Sequence, residues 1–336
     1  MLSTPSASPQ LSPTSPQAQV APETIVLRTE GLAKSFGKVR AVRDLSLAVR
    51  EGEIYGFLGR NGAGKTTTIR MLMGILKPDR GRLEWMGKRV RRAGLSMKRS
   101  IGYVSQDQHF YPWMTCAGLG RFAGGFYPTW DPAEYLRLLQ ALELPPQRRF
   151  SRLSGGMRVK LALALALAHR PRLLILDEPT ASLDPVARRE FLDMVRSQAR
   201  SHRRTTFFSS HRIEEVEQAA DRVGIIQDGT LRYQGGITEL KASVRRISWP
   251  QPVEPPPLPG AEPLSRESAA SAGAMALFAL PGIEILRDER SDGMRRVTAQ
   301  AEAAQWESVR LAGCEIEQLS LEDIFLALAG RPAVSL

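Results

Sequence analysis

The sequence predicts an α/β fold, a doubly wound and mainly parallel β-sheet followed by a small α+β unit. Three observations carry this. Short apolar runs at 53–58, 173–177 and 205–209 have the composition of buried strands, and they alternate with helix-patterned segments up to about residue 240. A glycine-rich turn at 59–64 joins the first of these runs to a helix-like stretch. Residues 247–263, with Trp249-Pro250, Pro252 and Pro255-Pro256-Pro257, read as a linker between a unit at 23–246 and a smaller one at 264–336.

Each element has a local reason. Residues 1–22 are rich in Pro, Ser and Gln with few bulky apolar side chains, so they should be disordered. Order should begin near Ile25. Val42, Leu45, Leu47 and Val49, set against Arg43, Asp44 and Ser46, mark a half-buried strand. The helix after Thr66 should end at Leu76-Lys77-Pro78. Residues 81–85 and 101–104 read as strands, the second leading to Gln106. Residues 115–150 look helical, broken at Tyr127-Pro128 and Leu144-Pro145-Pro146. The Leu/Ala alternation at 161–168 imitates a strand, but both residues favour helix and the run is apolar all round, so a buried helix capped by Ser154 is expected. The next helix should start at the cap Asp184 with Pro185 in its first turn, burying Ala187, Phe191, Met194 and Val195. A helix at 214–220 and a strand at 223–227 follow, and Asp228-Gly229 turns into a further strand. In the last unit, strands are expected at 283–286, 296–298 and 315–319. A final helix opens with Ser320 and Asp323 in a capping-box pattern and has Leu321, Ile324, Phe325 and Leu328 on its apolar face.

Composition narrows the possibilities. The chain of 336 residues is 43% apolar and 24% charged, as soluble proteins with a sizeable core are. No run approaches the about 18 apolar residues of a membrane span, and no secretory leader pattern is visible, so a cytosolic location is expected. Cys116 and Cys314 lie far apart without metal-ligand spacing. The formal charge is +11, with clusters at 88–92, 98–99, 148–149 and 203–204. These are either a solvated basic surface or an attraction for anionic lipid or, less favoured, nucleic acid.

Residues Gly59, Arg60, Asn61, Gly62, Ala63, Gly64, Lys65 and Thr66 spell G-x-x-x-x-G-K-[ST], a phosphate-binding loop in the strand–loop–helix setting that the motif requires. Its glycines let backbone N–H groups close on phosphate oxygens, and the new helix turns its positive end towards them. Lys65 should reach the β/γ-phosphates and the Thr66 hydroxyl should hold Mg²⁺. Residues 173–178 add an apolar strand ending in two acids. Asp177 suits Mg²⁺ coordination through water, and Glu178 suits deprotonation of an attacking water.

Together with these, Leu153-Ser154-Gly155-Gly156-Met157 resembles the signature motif of ATP-binding-cassette (ABC) ATPases. Gln106 resembles their Q-loop, Ala181-Ser182-Leu183-Asp184 their D-loop, and His211 after Ser209-Ser210 their switch histidine. Phe36 matches the aromatic that stacks on adenine. The resemblance covers residues 25–240 with every motif in order. Met157 stands where glutamine is commoner, and Ser182 where the D-loop often has Gly or Ala.

The resemblance implies a P-loop NTPase-type sheet with an antiparallel β subdomain and a helical signature subdomain. It implies two cassettes meeting head to tail, by expectation a homodimer, with ATP and Mg²⁺ between them. ATP would be held by Phe36, the loop from Gly59 through Asn61, Gly62, Ala63, Gly64, Lys65, Thr66 and Thr67, by Asp184, and, from the partner, by the signature residues Ser154, Gly155 and Gly156. Thr66, Gln106 and Asp177 would hold Mg²⁺, with Glu178, His211 and Gln106 catalytic. Residues 66–153 suit a compact helical subdomain rather than the long coiled coil of DNA-repair relatives, and translation-factor relatives carry two cassettes where one is present here. Both points favour a transporter subunit, held against the inner face of the cell membrane by a separate permease. His109, Phe110, Tyr111 and Trp113 lie where the family grips a coupling helix of that permease, unless they only pack the helical subdomain. The ending at 320–328 resembles that of exporters of the drug, antibiotic and polysaccharide kind. Two alternatives stay open: an ABC ATPase acting on nucleic acid or ribonucleoprotein, and a non-hydrolysing binder, against which the intact Asp177, Glu178 and His211 argue.

Overall fold

The computed structural model describes residues 24–90, 94–250, 281–291, 293–308 and 314–329. The tail expected at 1–22 and the linker residues from 251 onward lie outside these. Strands β1 (Ile25–Phe36) and β2 (Val39–Arg50) pair antiparallel, and Val42, Leu45, Leu47 and Val49 are the buried side of β2. Strand β3 (Ile54–Leu58) is buried throughout and runs into the glycine loop and α1 (Lys65–Leu72). Helix α1 stops at Leu72 and not at 76–78. Gly74 takes φ +62°, the left-handed conformation that closes a helix without strain, so glycine acts before the proline is reached.

There follow β4 (Arg80–Trp85), β5 (Lys88–Val90), α2 (Leu95–Arg99), β6 (Ile101–Val104), α3 (Cys116–Gly124), α4 (Pro132–Ala141) and α5 (Gly155–Leu167). The sheet then gains β7 (Leu173–Asp177), β8 (Thr205–Ser210), β9 (Arg222–Gln227) and β10 (Thr230–Gly236), with α6 (Pro185–His202), α7 (Ile213–Ala219) and α8 (Ile237–Ser243) between or after them. Ten strands form one sheet in the order β5-β4-β1-β2-β10-β9-β3-β8-β7-β6. The β9-β3-β8-β7-β6 part is parallel, and β1, β2, β4 and β5 pair antiparallel at the other end. The loop leaving β3 therefore opens beside the carboxyl ends of β7 and β8, where ligands bind in open α/β sheets.

Every residue from 161 to 168, the later part of α5 with its C-cap Ala168, is buried, which explains why this run shows no polar face. Helix α6 buries Phe191, Leu192, Val195 and Ala199, while Ala187 and Met194 are only half-buried. Its inward stripe is thus turned slightly from the one expected.

The second sheet contains β11 (Val244–Pro250), β12 (Glu284–Ser291), β13 (Met294–Gln300) and β14 (Glu315–Gln318), antiparallel in the order β12-β13-β11-β14. Helices α9 (Ala303–Ser308) and α10 (Leu321–Ala329) complete the unit. Residues 247–250 are thus not linker. Ile247 and Trp249 alternate into a core with Val297, Ala299 and Trp306, and Pro250 comes last in the strand, where it is tolerated. The Asp323 N–H donates to Ser320 Oγ at 3.1 Å, capping α10. Leu321, Ile324, Phe325 and Leu328 of α10 join the same hydrophobic cluster as Val216 and Leu240 of the larger unit. Gln227 Nε2 donates to the Ala329 carbonyl at 2.6 Å.

His169, just past α5, is buried and stacks on Tyr127 with ring centroids 4.0 Å apart. Burial, with a smaller push from Arg204, lowers its pKa to about 4. The unfolded chain takes up this proton near the ordinary 6.5 and the folded chain does not until about 4, so stability held at neutral pH is lost as pH falls through that window. The loss expected from this residue is about 3 kcal/mol. Urea denaturation at pH 7 and pH 4 checks it: His169→Gln should show a smaller decline than the wild type.

Candidate active site

In the loop from β3 to α1, Gly62 and Gly64 hold φ +81° and +105°, and a Cβ on Gly64 would lie 2.4 Å from the Ala41 carbonyl. No side chain caps α1, so its positive end is left to the loop's hollow. Lys65 Nζ donates to the carbonyls of Gly59 (2.7 Å) and Arg60 (3.1 Å) and lies 2.9 Å from Glu178 Oε1. Two of the ammonium's three donors thus go to carbonyls, and its charge pairs with Glu178.

Asp177 ends β7. Its Oδ1 accepts from Thr66 Oγ1 (3.2 Å) and Ser209 Oγ (2.9 Å). The Ser209 oxygen accepts in turn from the Glu178 N–H at 3.0 Å. Burial pushes the Asp177 carboxyl above its ordinary pKa, opposed by the Ser209 and Thr66 hydrogen bonds. Glu178 has φ +43°, a left-handed conformation that costs a non-glycine residue about 1 kcal/mol or more. Its carboxylate bridges Lys65 through Oε1 and His211 Nδ1 through Oε2, the latter at 3.0 Å.

Lys65, Thr66, Glu178 and His211 share one cleft of about 400 Å³. Asn61, Gly62, Gly64, Lys65, Thr66, Thr67, Gln106, Glu178 and His211 line it together with Ala41 and Ala181. Its donors are hard oxygens. Among the described residues no group of three or more His, Cys, Asp or Glu forms a metal cage. A hydroxyl beside one carboxylate suits Mg²⁺, which keeps waters and substrate phosphates in its shell.

Eight expected residues do not line the cleft. Gly59 and Ala63 belong to the loop that borders it, and Asp177 adjoins it through Thr66. The other five lie further off. Ser154 Oγ accepts from the Met157 N–H at 3.3 Å and caps α5. Gly155 and Gly156 face Ser182 and Leu183: a Cβ on each would lie 3.7 Å from the Ser182 carbonyl and 3.5 Å from Leu183 Cδ2. Asp184 Oδ1 accepts from the N–H groups of Val186 and Ala187 and caps α6. Phe36, half-exposed at the end of β1, has Lys34 Nζ 5.8 Å from its ring centroid. Asp79 fastens this corner, accepting from Lys34 Nζ (2.6 Å) and the Ser35 N–H (2.7 Å). The sequence reading missed Asp79 and Ser209. Along the chain Ser209 shows only as one of two serines at the end of a strand.

A second, apolar cavity of about 720 Å³ begins three residues after Gln106. His109, Phe110 and Tyr111 line it with Ile75, Phe122 and Phe126. Phe110 packs edge-on against Phe150, ring centroids 5.4 Å apart, and joins the core. Tyr111, Trp113, Ile75, Phe122 and Phe126 are exposed.

The family described as "ABC transporter" matches residues 42–181, and one described as "AAA domain, putative AbiEii toxin, Type IV TA system" matches 146–217. The chain is 38% identical over 224 residues to the "Bacitracin transport ATP-binding protein BcrA" of Bacillus licheniformis, across 66% of this chain and 73% of that protein. It is 31% identical over 319 residues to the "Daunorubicin resistance ATP-binding protein DrrA3" of Streptomyces coeruleorubidus, across 90% of this chain and 96% of that protein. The chain of "Dimeric Structure of MJ0796, a Bacterial ABC Transporter Cassette" shares the fold, with a TM-score of 0.58 and 21% identity over 63% of this chain and 98% of that one. With phosphate loop, acidic strand end and histidine gathered on one cleft of the matching fold, the chain belongs to the ABC transporter ATP-binding protein family and is an ATPase.

Proposed function

We propose that this ATPase powers an exporter, working as a Mg²⁺-dependent homodimer docked from the cytoplasmic side on a separate membrane permease. The observation that carries the reading is the split in the nucleotide machinery. Lys65, Gln106, Glu178 and His211 share a cleft, whereas Ser154, Gly155 and Gly156 lie outside it against Ser182 and Leu183. A second copy turned head to tail brings its Ser154, Gly156 and α5 N-terminus to the γ-phosphate, where a helix end favours an anion. Phe36 stacks on adenine and the loop 59–67 wraps the phosphates. Thr66, Gln106 and Asp177 would hold Mg²⁺, which when bound would supply positive charge to offset that of the phosphates. Glu178 takes the proton of the attacking water, and His211 holds that water and the γ-phosphate in line. Loss of γ-phosphate opens the dimer, and this switch drives the permease.

The names of the relatives, one for bacitracin transport and one for daunorubicin resistance, support transport out of the cell. The second matches across the C-terminal unit as well. Among the described residues no helix is long and apolar enough to cross a membrane. The exposed aromatic groove around Tyr111 and Phe126 supports docking of a permease segment.

Capture of the tagged chain from gently solubilised native membranes tests this. A stoichiometric multi-span partner is expected with the wild type and should be absent with Tyr111→Ser/Phe126→Ser, whose turnover in isolation should stay unchanged. Recovery of the chain alone, or with nucleic acid that stimulates its ATPase in a salt-sensitive way, would overturn the exporter reading.

A further inference from the structure

We propose that Glu215 is a positioning residue that fastens the loop 181–184 to the strand end bearing His211, so that loop and histidine shift as one body. The inference rests on the homodimer reading above. Glu215 lies in α7 and is only 4% exposed. Its Oε1 accepts from Thr180 Oγ1 at 2.7 Å and lies 3.3 Å from Arg188 Nε. Its Oε2 accepts from Ser210 Oγ at 2.6 Å. Arg212 Nε stands 4.0 Å away.

These partners lead to the working parts of the site. Arg188 Nη2 donates to the Leu183 carbonyl at 3.0 Å. The loop 181–184 is therefore gripped from both sides by one carboxylate, through Thr180 before it and through Arg188 at Leu183 within it. On the other side Ser210 adjoins His211, and its carbonyl accepts from the Gly59 N–H at 3.2 Å, the first residue of the phosphate loop. His211 in turn meets Glu178 at 3.0 Å. The far end of this series is Leu183, which lies against Gly156, a residue assigned above to the other copy's γ-phosphate. A displacement of the signature by the nucleotide across the interface thus has a route to the histidine over its own: a van der Waals contact from Gly156 to Leu183, then polar contacts from the Leu183 carbonyl through Arg188 and Glu215 to Ser210.

A bland role for Glu215 is poorly matched to its chemistry. Burying a carboxylate is costly, and an apolar residue of similar volume would fill the same space at lower cost. What a leucine could not do is hold two hydroxyls and a guanidinium on three different segments in fixed relation. Spatial continuity alone does not establish coupling, so the test must read coupling itself.

ATP turnover by the full chain is measured against ATP concentration at saturating Mg²⁺. A two-site dimer should give the wild type a Hill coefficient approaching about two. Thr180→Val removes one arm at nearly constant shape. It should bring the Hill coefficient towards about one and lower kcat about tenfold, with half-saturating ATP within about twofold of wild type. Glu215→Gln should act in the same direction, and the double variant should be no worse than Glu215→Gln alone, because parts of one unit do not add. If Glu215→Gln does not fold, Thr180→Val with Ser210→Ala completes the cycle, since these remove opposite arms of the carboxylate. Variants that melt earlier but keep the wild-type Hill coefficient, or losses that simply multiply, would overturn the proposal. Hyperbolic turnover by the wild type would instead remove the two-site reading, and the coupling with it.

Discussion

Glu178→Gln should lower ATP turnover about a thousandfold while leaving ATP-driven dimers intact. The amide is nearly isosteric, so its oxygen can still accept from Lys65, and its NH₂ can donate to the ring nitrogen that now stands 3.0 Å from Oε2. What is lost is the capacity to take a proton from water. The backbone at φ +43° and the Ser209 contact to the Glu178 N–H do not depend on side-chain charge, so the loop should keep its course. With γ-phosphate uncleaved, the closed pair should persist. Phosphate release and light scattering in Mg²⁺-ATP check the two halves separately. A variant that keeps hydrolysing would exclude Glu178 as the base; one that neither hydrolyses nor dimerises would point to a binding defect instead.

Lys65→Ala should weaken ATP binding by about a hundredfold or more, since each hydrogen bond from an ammonium to a charged acceptor contributes about 1.5–3 kcal/mol. A second effect follows from the pair it makes with Glu178. Their side chains are 3% and 10% exposed, and removal of one member of such a pair typically costs about 3–5 kcal/mol. His211 on the other carboxylate oxygen should soften this. The nucleotide-free variant should therefore melt below the wild type, and Lys65→Ala/Glu178→Gln should recover much of that stability without recovering affinity. Calorimetric titration with ATP and thermal melts distinguish the two consequences. Unchanged affinity in Lys65→Ala would count against the phosphate-loop assignment.

Much of this architecture was legible because its causes are local. The loop 59–66 declares itself by glycine spacing between a strand and a helix. Ser154, Asp184 and Ser320 declare helix starts by side chains that do cap them. The buried α5 could be told from a strand by propensity despite its Leu/Ala alternation. The misreadings share a different cause. The proline at 78 outweighed Gly74 in the reading of α1, although the glycine comes first in the chain. The prolines after 249 hid an inward alternation of Ile247 and Trp249 whose partners lie some fifty residues on, at Val297 and Ala299. Ser209, Asp79 and Glu215 reach Asp177, Lys34 and Thr180, all distant along the chain, and no motif spacing reports such contacts. The groove residues Phe122 and Phe126 read as ordinary members of a helical stretch until the fold set them beside Tyr111.

The place of β11 between β13 and β14 bears on how this protein is made. A ribosome delivers β11 well before its neighbours, so that strand must wait with both edges bare. The face around Val216 and Leu240 waits likewise for Leu321 and Ile324. The face of the ATPase unit around Val216 and Leu240 thus stays open until the chain beyond it has been made. Residues 321–329 cover that face once they emerge, and a nascent chain halted between β11 and β12 would present bare strand edges to its neighbours on the polysome.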